Sequence, residues 1–328
     1  MVDASSTAAN DVHQLHWSLI SVRRQVWLIS TSAVVVSSLG IMLCWLDPVI
    51  HAPLRLGLDF TGGTQIQLER NCEVACSDLK VVTISETIRK ITLPRGANPP
   101  LPRLDSPRVQ LLNSGQLLLL RLPTLSAAQG QAVIEAVELV AGPFKAGGQS
   151  VDTIGPSFGR QLLQSSLISL SVAFAGITLY ISFRYSRRYA FLALVALAHD
   201  VTIICGIFAW CGLLFQLEVN SLFAVALLTI AGYSVNDTVV VFDRIRKQTQ
   251  QESDLPLRLH VDQAVSKTLA RTLYTSGTTL MPLLTLVFFG GATLYWFAIS
   301  LVFGVIVGSW SSIALAPSLL MLWEPLDD

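Results

Sequence analysis

Acidic and histidine side chains interrupt apolar stretches of this sequence that are long enough to cross a membrane. Asn236 and Asp237 lie in "GYSVNDTVVVFDRIR" (232–246), a few residues before an apolar run ends. His199 and Asp200 lie in "ALAHDVTIICG", near the middle of an earlier run. A charged group at mid-membrane costs about 2.5–3.5 kcal/mol on insertion scales, so such residues usually face a bundle interior and mark ion or proton paths.

Arg271 is the expected partner of Asp237. It lies in "KTLARTLYTSGTTL", at the start of the next apolar run, and sequential antiparallel helices are neighbours by default. Removal from water favours the neutral carboxyl, whereas a nearby cation favours the carboxylate, so an acid under both influences can change protonation during a cycle. Two alternatives stay open: a permanent structural pair at Asp237, and an arginine that reaches lipid headgroups.

His199 and Asp200 allow two interpretations. Histidine titrates near neutral pH, so the pair is a candidate proton relay. Adjacent helical residues point about 100° apart, which predicts that one side chain faces the interior while the other bonds a neighbouring helix. Relay and structural bonding are both open for this pair, and Asn236 is a further polar candidate of the same kind.

Small and hydroxyl residues surround these positions. The segments "TSGTT" (275–279) and "GVIVGSWSS" (304–312) are the clearest examples. Gly304 and Gly308 form a small-xxx-small face, which predicts close packing between helices. The hydroxyl groups fit either tight packing or a chain of proton carriers.

The elements that must position these residues are apolar helices. The 328 residues are 52% hydrophobic and 13% charged, about half the charged fraction of a soluble domain. The pattern predicts an α-helical polytopic membrane protein with an N-terminal tail (1–25), a first span (26–46), a folded domain (47–162), five further spans within 163–322 and a C-terminal tail (323–328). The further spans are expected at about 163–183, 190–215, 219–242, 269–289 and 293–322, with a loop at 243–268.

The distribution of basic residues predicts the orientation. Lys and Arg cluster before the first span, between the second and third, and between the fourth and fifth, while the loops near 216–218 and 290–292 have none. Basic loops stay in the cytoplasm. Both termini are therefore expected to be cytoplasmic, and the domain at 47–162 to be exported.

The exported domain is predicted to be α+β. "GGTQIQLER" (62–70), "RVQLL" (108–112), "QLLLLRL" (116–122) and "SVDTIG" (150–155) have the character of strands. Helices are expected from Ser77 or Asp78 to Pro94, and from about 126 to Gly142. The resulting order, βαββαβ, is the ferredoxin-like arrangement.

Other kinds of site receive little support. Cys72 and Cys76 lie on the exported side, where a disulfide is possible, but an extended "CEVAC" would hold their Cα atoms too far apart, so a disulfide and two free thiols are equally open. The sequence predicts no metal site and no cofactor. It predicts no nucleic-acid partner either, since 22 basic residues balance 22 acidic ones. An ion gradient is the expected energy source.

Several motifs together resemble one family. "LGLDFTGGTQIQLE" (56–69), with Asp59, Gly62 and Gly63, resembles the signature of the SecD/SecF family at the start of its exported domain. "IAGYSVNDTVVVFDRIR" and "KTLARTLYTSGTTL" are similar to the fourth and fifth spans of that family. The likeness extends from Leu56 to near the C-terminus, although "CEVAC" and the polar N-terminal tail depart from the pattern.

The resemblance implies a fold and a function. The chain would be a six-helix half of an RND-type bundle in the bacterial inner membrane, and would use the proton or sodium motive force to help move preproteins through SecYEG. SecD would be its partner, with YajC and YidC as further associates and an unfolded preprotein as substrate. Asp237 and Arg271 match the family's ion-path residues, and no role carries over to His199 and Asp200.

Three other functions remain as alternatives. The first is half of a different RND-type exporter. The second is a scaffold that stabilises a translocon without transporting ions. The third is an intramembrane protease, which would need Asp200 and Asp237 to face each other.

Overall fold

The computed structural model describes residues 18–71, 79–94, 102, 104, 107–112, 115–251 and 256–323. The chain forms two compact units. We call Leu56–Ser166 the sheet domain, and we call Met1–Arg55 with Leu167–Asp328 the helical unit.

The first long helix, α1, covers Arg23–Leu46 and follows a single 3-10 turn at Ile20–Val22. It ends where the apolar run ends, as predicted, but it begins before the run does. Arg23 and Arg24 favour helix although they are polar, and polar residues extend a spanning helix beyond its apolar part. Many apolar side chains of α1 are exposed, Leu28 at 68% among them, as expected of a surface that lipid or another protein covers.

The sheet domain has the predicted βαββαβ order. Its four strands are arranged β2-β3-β1-β4, and every neighbouring pair is antiparallel. This is the ferredoxin-like order. The elements are α2 (Leu58–Thr61), β1 (Gly63–Arg70), α3 (Val81–Lys90), β2 (Arg108–Leu112), β3 (Leu117–Leu122), α4 (Ala127–Ala141) and β4 (Phe144–Ile154).

Alternation along the strands builds the core of this domain. Ile66 and Leu68 of β1 are fully buried, as are Leu118 and Leu120 of β3. They pack with apolar side chains of α3 and α4 in one cluster. Burying each such side chain stabilises the fold by about 1.5–3 kcal/mol, so the period of two in the strands determines which face the helices cover.

The ends of the two domain helices agree unequally with the prediction. Ser126 caps α4, accepting a hydrogen bond from the backbone N–H of Gln129, whose side chain accepts one from Ser126 N–H. Gly142 ends α4 with a φ of 85°, the glycine termination expected there. α3 is shorter than predicted: it begins at Val81 and ends at Lys90, before Pro94. Residues 77 and 78, the expected caps, lie outside the described residues.

Five long helices complete the helical unit. With α1, six helices of the described chain are long and apolar enough to cross a membrane, in agreement with the six predicted spans. The further five are α5 (Pro156–Arg184), α6 (Arg187–Leu214), α7 (Ser221–Gln251), α8 (Leu257–Phe289) and α9 (Gly291–Trp310).

The prediction of a loop at 243–268 is wrong. α7 continues to Gln251, and α8 already begins at Leu257. The start of α8 is also buried: Val261 and Ala264 have no exposed surface, and Asp262 has 9%. An apolar run marks the part of a helix inside the membrane, but polar residues of good propensity continue the helix beyond it.

Asp262 joins the start of α8 to the start of α1. Its Oδ2 accepts a hydrogen bond from the hydroxyl of Ser18 at 2.5 Å, and its Oδ1 accepts one from the backbone N–H of Ile20 at 3.1 Å. The first N–H groups of a helix have no partner within the helix, and a carboxylate there also interacts well with the helix dipole. The carboxylate of Asp262, on α8, therefore caps the N-terminal end of the first span.

Glycines bring α1 and α6 into close contact. A Cβ atom at Gly206 would lie 2.4 Å from the Cα atom of Ser37, and one at Gly40 would lie 2.6 Å from Nε1 of Trp210. That indole donates a hydrogen bond to the carbonyl of Val36 at 2.9 Å. Small residues permit such approach between helices where apolar burial gives no drive of its own.

The sixth span is not one regular helix. α9 ends at Trp310, a π-helical turn covers Ser311–Leu315, and α10 (Ala316–Leu319) leads to a final 3-10 turn at Leu320–Trp323. Two indole groups tie this span to α1. Trp310 Nε1 donates to Ser30 Oγ at 3.1 Å, and Trp27 Nε1 donates to Ser318 Oγ at 3.0 Å.

Candidate functional site

Asp237 is buried on α7, with 5% of its surface exposed. Its Oδ2 has no hydrogen-bond partner among the described residues, and neither has the hydroxyl of Thr238 beside it. A buried carboxylate oxygen without a donor is costly, since the charge has lost its water and gained no replacement. This oxygen is therefore open to a donor that the described residues do not supply.

Arg271 lies on α8, the helix that packs against α7, and its side chain is exposed. It is the charged group that acts electrostatically on Asp237. No ion pair within 4.0 Å joins the two in the described part of the chain. The structure thus places the arginine on the neighbouring helix, as the sequence predicts, and the direct pairing stays a prediction.

Asn236 points away from this interior. It is exposed on α7. It shares one face of the helix with the exposed residues Val225, Thr229 and Gly232. An amide facing lipid would lack partners. This face of small and polar residues is better suited to contact with another protein than with acyl chains.

The prediction that the side chains of His199 and Asp200 diverge is wrong. His199 Nδ1 lies 2.8 Å from Asp200 Oδ1, and both side chains are buried. Rotamers can turn two adjacent side chains toward each other even though their Cα–Cβ bonds point apart. The pair forms one polar unit inside the bundle.

Two serines complete that unit: Ser311 belongs to the hydroxyl-rich segment 304–312 noted from the sequence, whereas Ser234 carried no signal. The hydroxyl of Ser234 on α7 donates to Asp200 Oδ2 at 2.5 Å. Ser311, the first residue of the π-turn, donates to the same oxygen at 2.7 Å. We call Asp200, His199, Ser234 and Ser311 the Asp200 cluster. It joins the third, fourth and sixth spans, and π-turns often occur at functional positions.

A separate chain of hydroxyl groups joins α7, α8 and α9. The hydroxyl of Tyr233 lies 3.0 Å from Ser276 Oγ, which lies 2.6 Å from Ser309 Oγ. Ser276 also donates to the carbonyl of Thr272 at 2.8 Å. Tyr233 is one turn before Asp237 and Thr272 follows Arg271, so the chain lies in the turns that carry the two predicted ion-path residues. "TSGTT" pointed to this region, while Tyr233 carried no signal.

Both glycines of the sixth span lie against α7. A Cβ atom at Gly304 would lie 2.2 Å from Cγ1 of Ile230, and one at Gly308 would lie 3.3 Å from Cβ of Ser234 and 3.8 Å from Oδ2 of Asp200. Any larger residue at Gly304 would push the two helices apart. Gly308 leaves the space in which the Asp200 cluster forms.

Asp200 and Asp237 share no partner among the described residues. The partners of Asp200 are His199 and the two serines, and no hydrogen bond joins the two aspartates among the described residues. No group of three or more His, Cys, Asp or Glu side chains in that part of the chain is arranged to hold a metal ion. The described cysteines, Cys44, Cys205 and Cys211, are free thiols, and Cys72 and Cys76 lie outside the described residues.

The glycine pair of the sheet domain has a structural reason. Gly62 and Gly63 have φ angles of 70° and 126°, in the region that favours glycine. A Cβ atom at Gly62 would lie 2.8 Å from Cα of Pro156, and one at Gly63 would lie 2.7 Å from the carbonyl oxygen of Leu122. The pair lets β1 begin directly against the start of α5, and Asp59 lies in the short helix α2 that precedes it.

Two family models match the chain. The model described as "Protein export membrane protein SecD/SecF, C-terminal" covers residues 136–325, more than half of the sequence. The model described as "SecD/SecF GG Motif" covers residues 49–74, which contain the glycine pair.

Individual relatives agree with the models. The chain is 56% identical to the protein translocase subunit SecF of Prochlorococcus marinus, covering 92% of this chain and 93% of that protein. It is 36% identical to the SecF of Synechocystis, covering 93% and 94%. It is also 33% identical to a protein translocase subunit SecDF of Thermus thermophilus, over 81% of this chain and 34% of that longer protein.

Solved structures show the same relation. The chain resembles the crystal structure of SecDF from Thermus thermophilus, a translocon-associated membrane protein, with a TM-score of 0.75 and 28% identity over 95% of this chain. It spans 39% of the length of that structure. A second structure, of SecDF in a super-membrane-facing form, gives a TM-score of 0.58. The chain therefore belongs to the SecD/SecF family of protein export membrane proteins, in its SecF branch.

Proposed function

We propose that the chain uses the proton or sodium motive force to drive preproteins outward through the SecYEG channel, as the SecF subunit of a SecD/SecF complex. Relatives of similar length are protein translocase subunits. The observation that carries the coupling to an ion gradient is the buried Asp237, whose Oδ2 has no partner among the described residues and on which the cation of Arg271 acts electrostatically.

The coupling step is a change in the protonation of Asp237. When Asp237 is ionised, attraction between its carboxylate and the guanidinium of Arg271 draws α7 and α8 together. When the carboxyl binds a proton, that attraction disappears and the exposed arginine turns to other partners. α7 and α8 then have two arrangements, and the gradient biases the population between them. Exported domains that hold or release a preprotein would follow this change.

SecD is the proposed partner within the membrane. The relation of this chain to part of a fused SecDF supports a joint assembly. The exposed side chains of Asn236 and Arg271 support it independently, since a second bundle would cover polar groups that lipid would leave unpaired. Association with SecYEG, YajC and YidC follows from the family resemblance alone.

The proposed location is the bacterial inner membrane, with both termini in the cytoplasm. Arg184, Arg187 and Arg188 lie at the junction of α5 and α6, and Arg244 and Lys247 lie near the end of α7. This distribution follows the positive-inside rule. The sheet domain would then lie on the exported side, where it can meet an emerging preprotein.

Pulse-chase export of a secretory precursor tests the function, with and without an uncoupler and at matched protein levels. Asp237→Asn is expected to slow export to the rate that the uncoupler produces with the unchanged protein, because an amide cannot carry the proton. The uncoupler should then slow the variant no further through this component.

Asp243→Asn is the matched control on the same helix. Asp243 pairs with Lys247 at 2.6 Å and with Arg246 at 3.2 Å, so its carboxylate already has partners near the helix end. Cells with the Asp243→Asn variant should export the precursor at the normal rate. Normal export by Asp237→Asn at full gradient would contradict ion coupling. Normal export by Asp237→Asn together with loss of export by Gly308→Leu would favour the scaffold function.

A further inference from the structure

Asp200 is the most completely buried acid of the described chain, with no exposed surface. Its Oδ1 faces His199, and its Oδ2 accepts from Ser234 and Ser311. Three donors are enough to hold a carboxylate in place, but they are neutral when the imidazole is neutral. The Asp200 cluster then carries one negative charge inside the bundle, which costs several kcal/mol unless a counter-charge is present.

In the turns next to the cluster, α1, α7 and the sixth span carry no basic side chain that could act as a counter-charge. α6 packs on α1, α7, α9 and the π-turn. The π-turn also contacts α8, whose His260 is buried and whose basic side chains are all exposed: Arg258, Lys267 and Arg271. Beyond its first two residues, α1 has only Cys44 as a titratable group, and the sixth span has only Tyr295. On α7, the titratable side chains in the turns around Ser234 are Tyr233 and Asp237. The closest ionisable group with a formal charge along α7 is thus another acid, Asp237. Its negative charge would destabilise the ionised form of Asp200 further.

His199 provides a position for the missing positive charge. With Nδ1–H donated to Asp200, the neutral ring keeps a lone pair on Nε2, and the partner of one ring nitrogen determines which tautomer is present. Nε2 is buried and has no hydrogen-bond partner among the described residues. A basic nitrogen, fixed by a carboxylate and left without a donor, is suited to accept a proton.

Ser311 allows the cluster to adapt to that proton. Its hydroxyl lies 2.7 Å from Asp200 Oδ2 and 3.1 Å from the carbonyl oxygen of Gly308. One hydroxyl proton can serve only one acceptor fully. Rotation about a single bond therefore moves the donor from Asp200 to the backbone of α9, next to the π-turn, whenever the carboxylate no longer needs it.

We propose that Asp200 and His199 form a second proton-binding site, separate from Asp237 and Arg271, and that Ser311 passes its protonation state to the sixth span. One proton adds to His199 Nε2, and the proton on Nδ1 either stays there or moves to Asp200 Oδ1. In both cases the pair changes from a net charge of −1 to zero, and the reverse step releases one proton. The inference rests on the proposed ion-coupled function.

Infrared difference spectroscopy during a pH titration tests the second site directly. The full chain is purified with its SecD partner, and Asp237→Asn is the starting background, so that the first site is silent. Lowering the pH is expected to produce a carboxylic acid or imidazolium band that is lost when Asp200→Asn is added. Identical spectra with and without Asp200→Asn would overturn the proposal, because Asp200 would then remain ionised as a structural group.

Two neighbouring serines provide the matched comparison. Ser312 is also fully buried in the π-turn, but it donates to the carbonyl of Ser309 rather than to Asp200. Ser311→Ala is expected to move the midpoint of the band to higher pH by about one unit, since the ionised form has lost one donor. Ser312→Ala should leave the midpoint unchanged. Equal midpoints in both variants would exclude Ser311 from the site.

The spectra separate this proposal from the function on which it rests. If Asp237→Asn exports normally but the band persists, the proposed ion coupling through Asp237 fails and the second site stands as a proton-binding group. If Asp237→Asn slows export but the band is absent, the second site alone is overturned.

Discussion

At the scale of single residues, the carboxylate of Asp200 is held by hydroxyl groups that two other spans supply, Ser234 of the fourth and Ser311 of the sixth. Asp237, His199 and Asp200 are conspicuous because a charge inside an apolar run is expensive. The two serines are harder to assign as partners of Asp200, since a serine within a spanning helix can instead bond its own backbone, as Ser171 and Ser300 do here. Whether a hydroxyl turns to a carboxylate depends on which helices meet, and a single sequence does not contain that information.

Asp262 leads to a prediction at the same scale. Asp262→Ala removes the acceptor for Ile20 N–H and Ser18, and is expected to destabilise the start of α1 by about 0.5–2 kcal/mol, the usual cost of losing a helix cap. Hydrogen exchange of the amides at residues 19–22 should become faster. Asp262→Asn retains a side-chain oxygen and should restore most of the protection. Unchanged exchange in Asp262→Ala would show that the cap contributes nothing.

At the scale of elements, the apolar runs predicted all six spans, and the alternation in the sheet domain predicted its topology. Helix ends were less predictable. The start of α8 was assigned to a loop, yet it is helical, and Val261 and Ala264 are buried against the rest of the helical unit. Amphipathic helices have the same pattern whether protein or membrane covers their apolar side.

Gly304 tests how closely α9 must approach α7. Gly304→Leu is expected to destabilise the protein by about 1–3 kcal/mol through overpacking, because a Cβ atom already meets Ile230. Gly176→Leu on α5 is the control, since a Cβ atom there has no neighbour within 4 Å. Thermal unfolding in detergent should show a lower Tm for Gly304→Leu only. Equal Tm values in the two variants would contradict this prediction, because overpacking against α7 would then not be what lowers stability.

Gly62 provides the equivalent test in the sheet domain. Gly62→Ala combines a strained φ of 70° with a contact 2.8 Å from Pro156, and the φ alone costs about 1–2 kcal/mol. Gly155→Ala, at the end of β4, meets nothing within 4 Å and should be neutral. Limited proteolysis of the sheet domain compares the two. Equal resistance to cleavage would contradict the packing reason for the glycine pair.

At the scale of the whole molecule, orientation is the property that most needs a measurement. Ser150 is exposed on β4 and Gln250 is exposed at the end of α7. With the five native cysteines replaced, a membrane-impermeant maleimide applied from the periplasmic side should label Ser150→Cys and not Gln250→Cys. Lysis should make both reactive. The opposite labelling would invert the proposed topology and place the sheet domain in the cytoplasm.

The π-turn in the sixth span has a consequence for comparing sequences. A turn with i to i+5 bonds holds an extra residue, and each added residue rotates the rest of the helix by about 100°. Residues 291–310 and 316–319 therefore belong to two different helical wheels, although no glycine or gap marks the change. If the α-helical period were extended unchanged through Ser311, Ser318 would fall on a different side of the helix and would not face Trp27, with which it forms a hydrogen bond. A one-residue gap at this turn, when related chains are aligned, would indicate a change of helix type rather than a loss of structure.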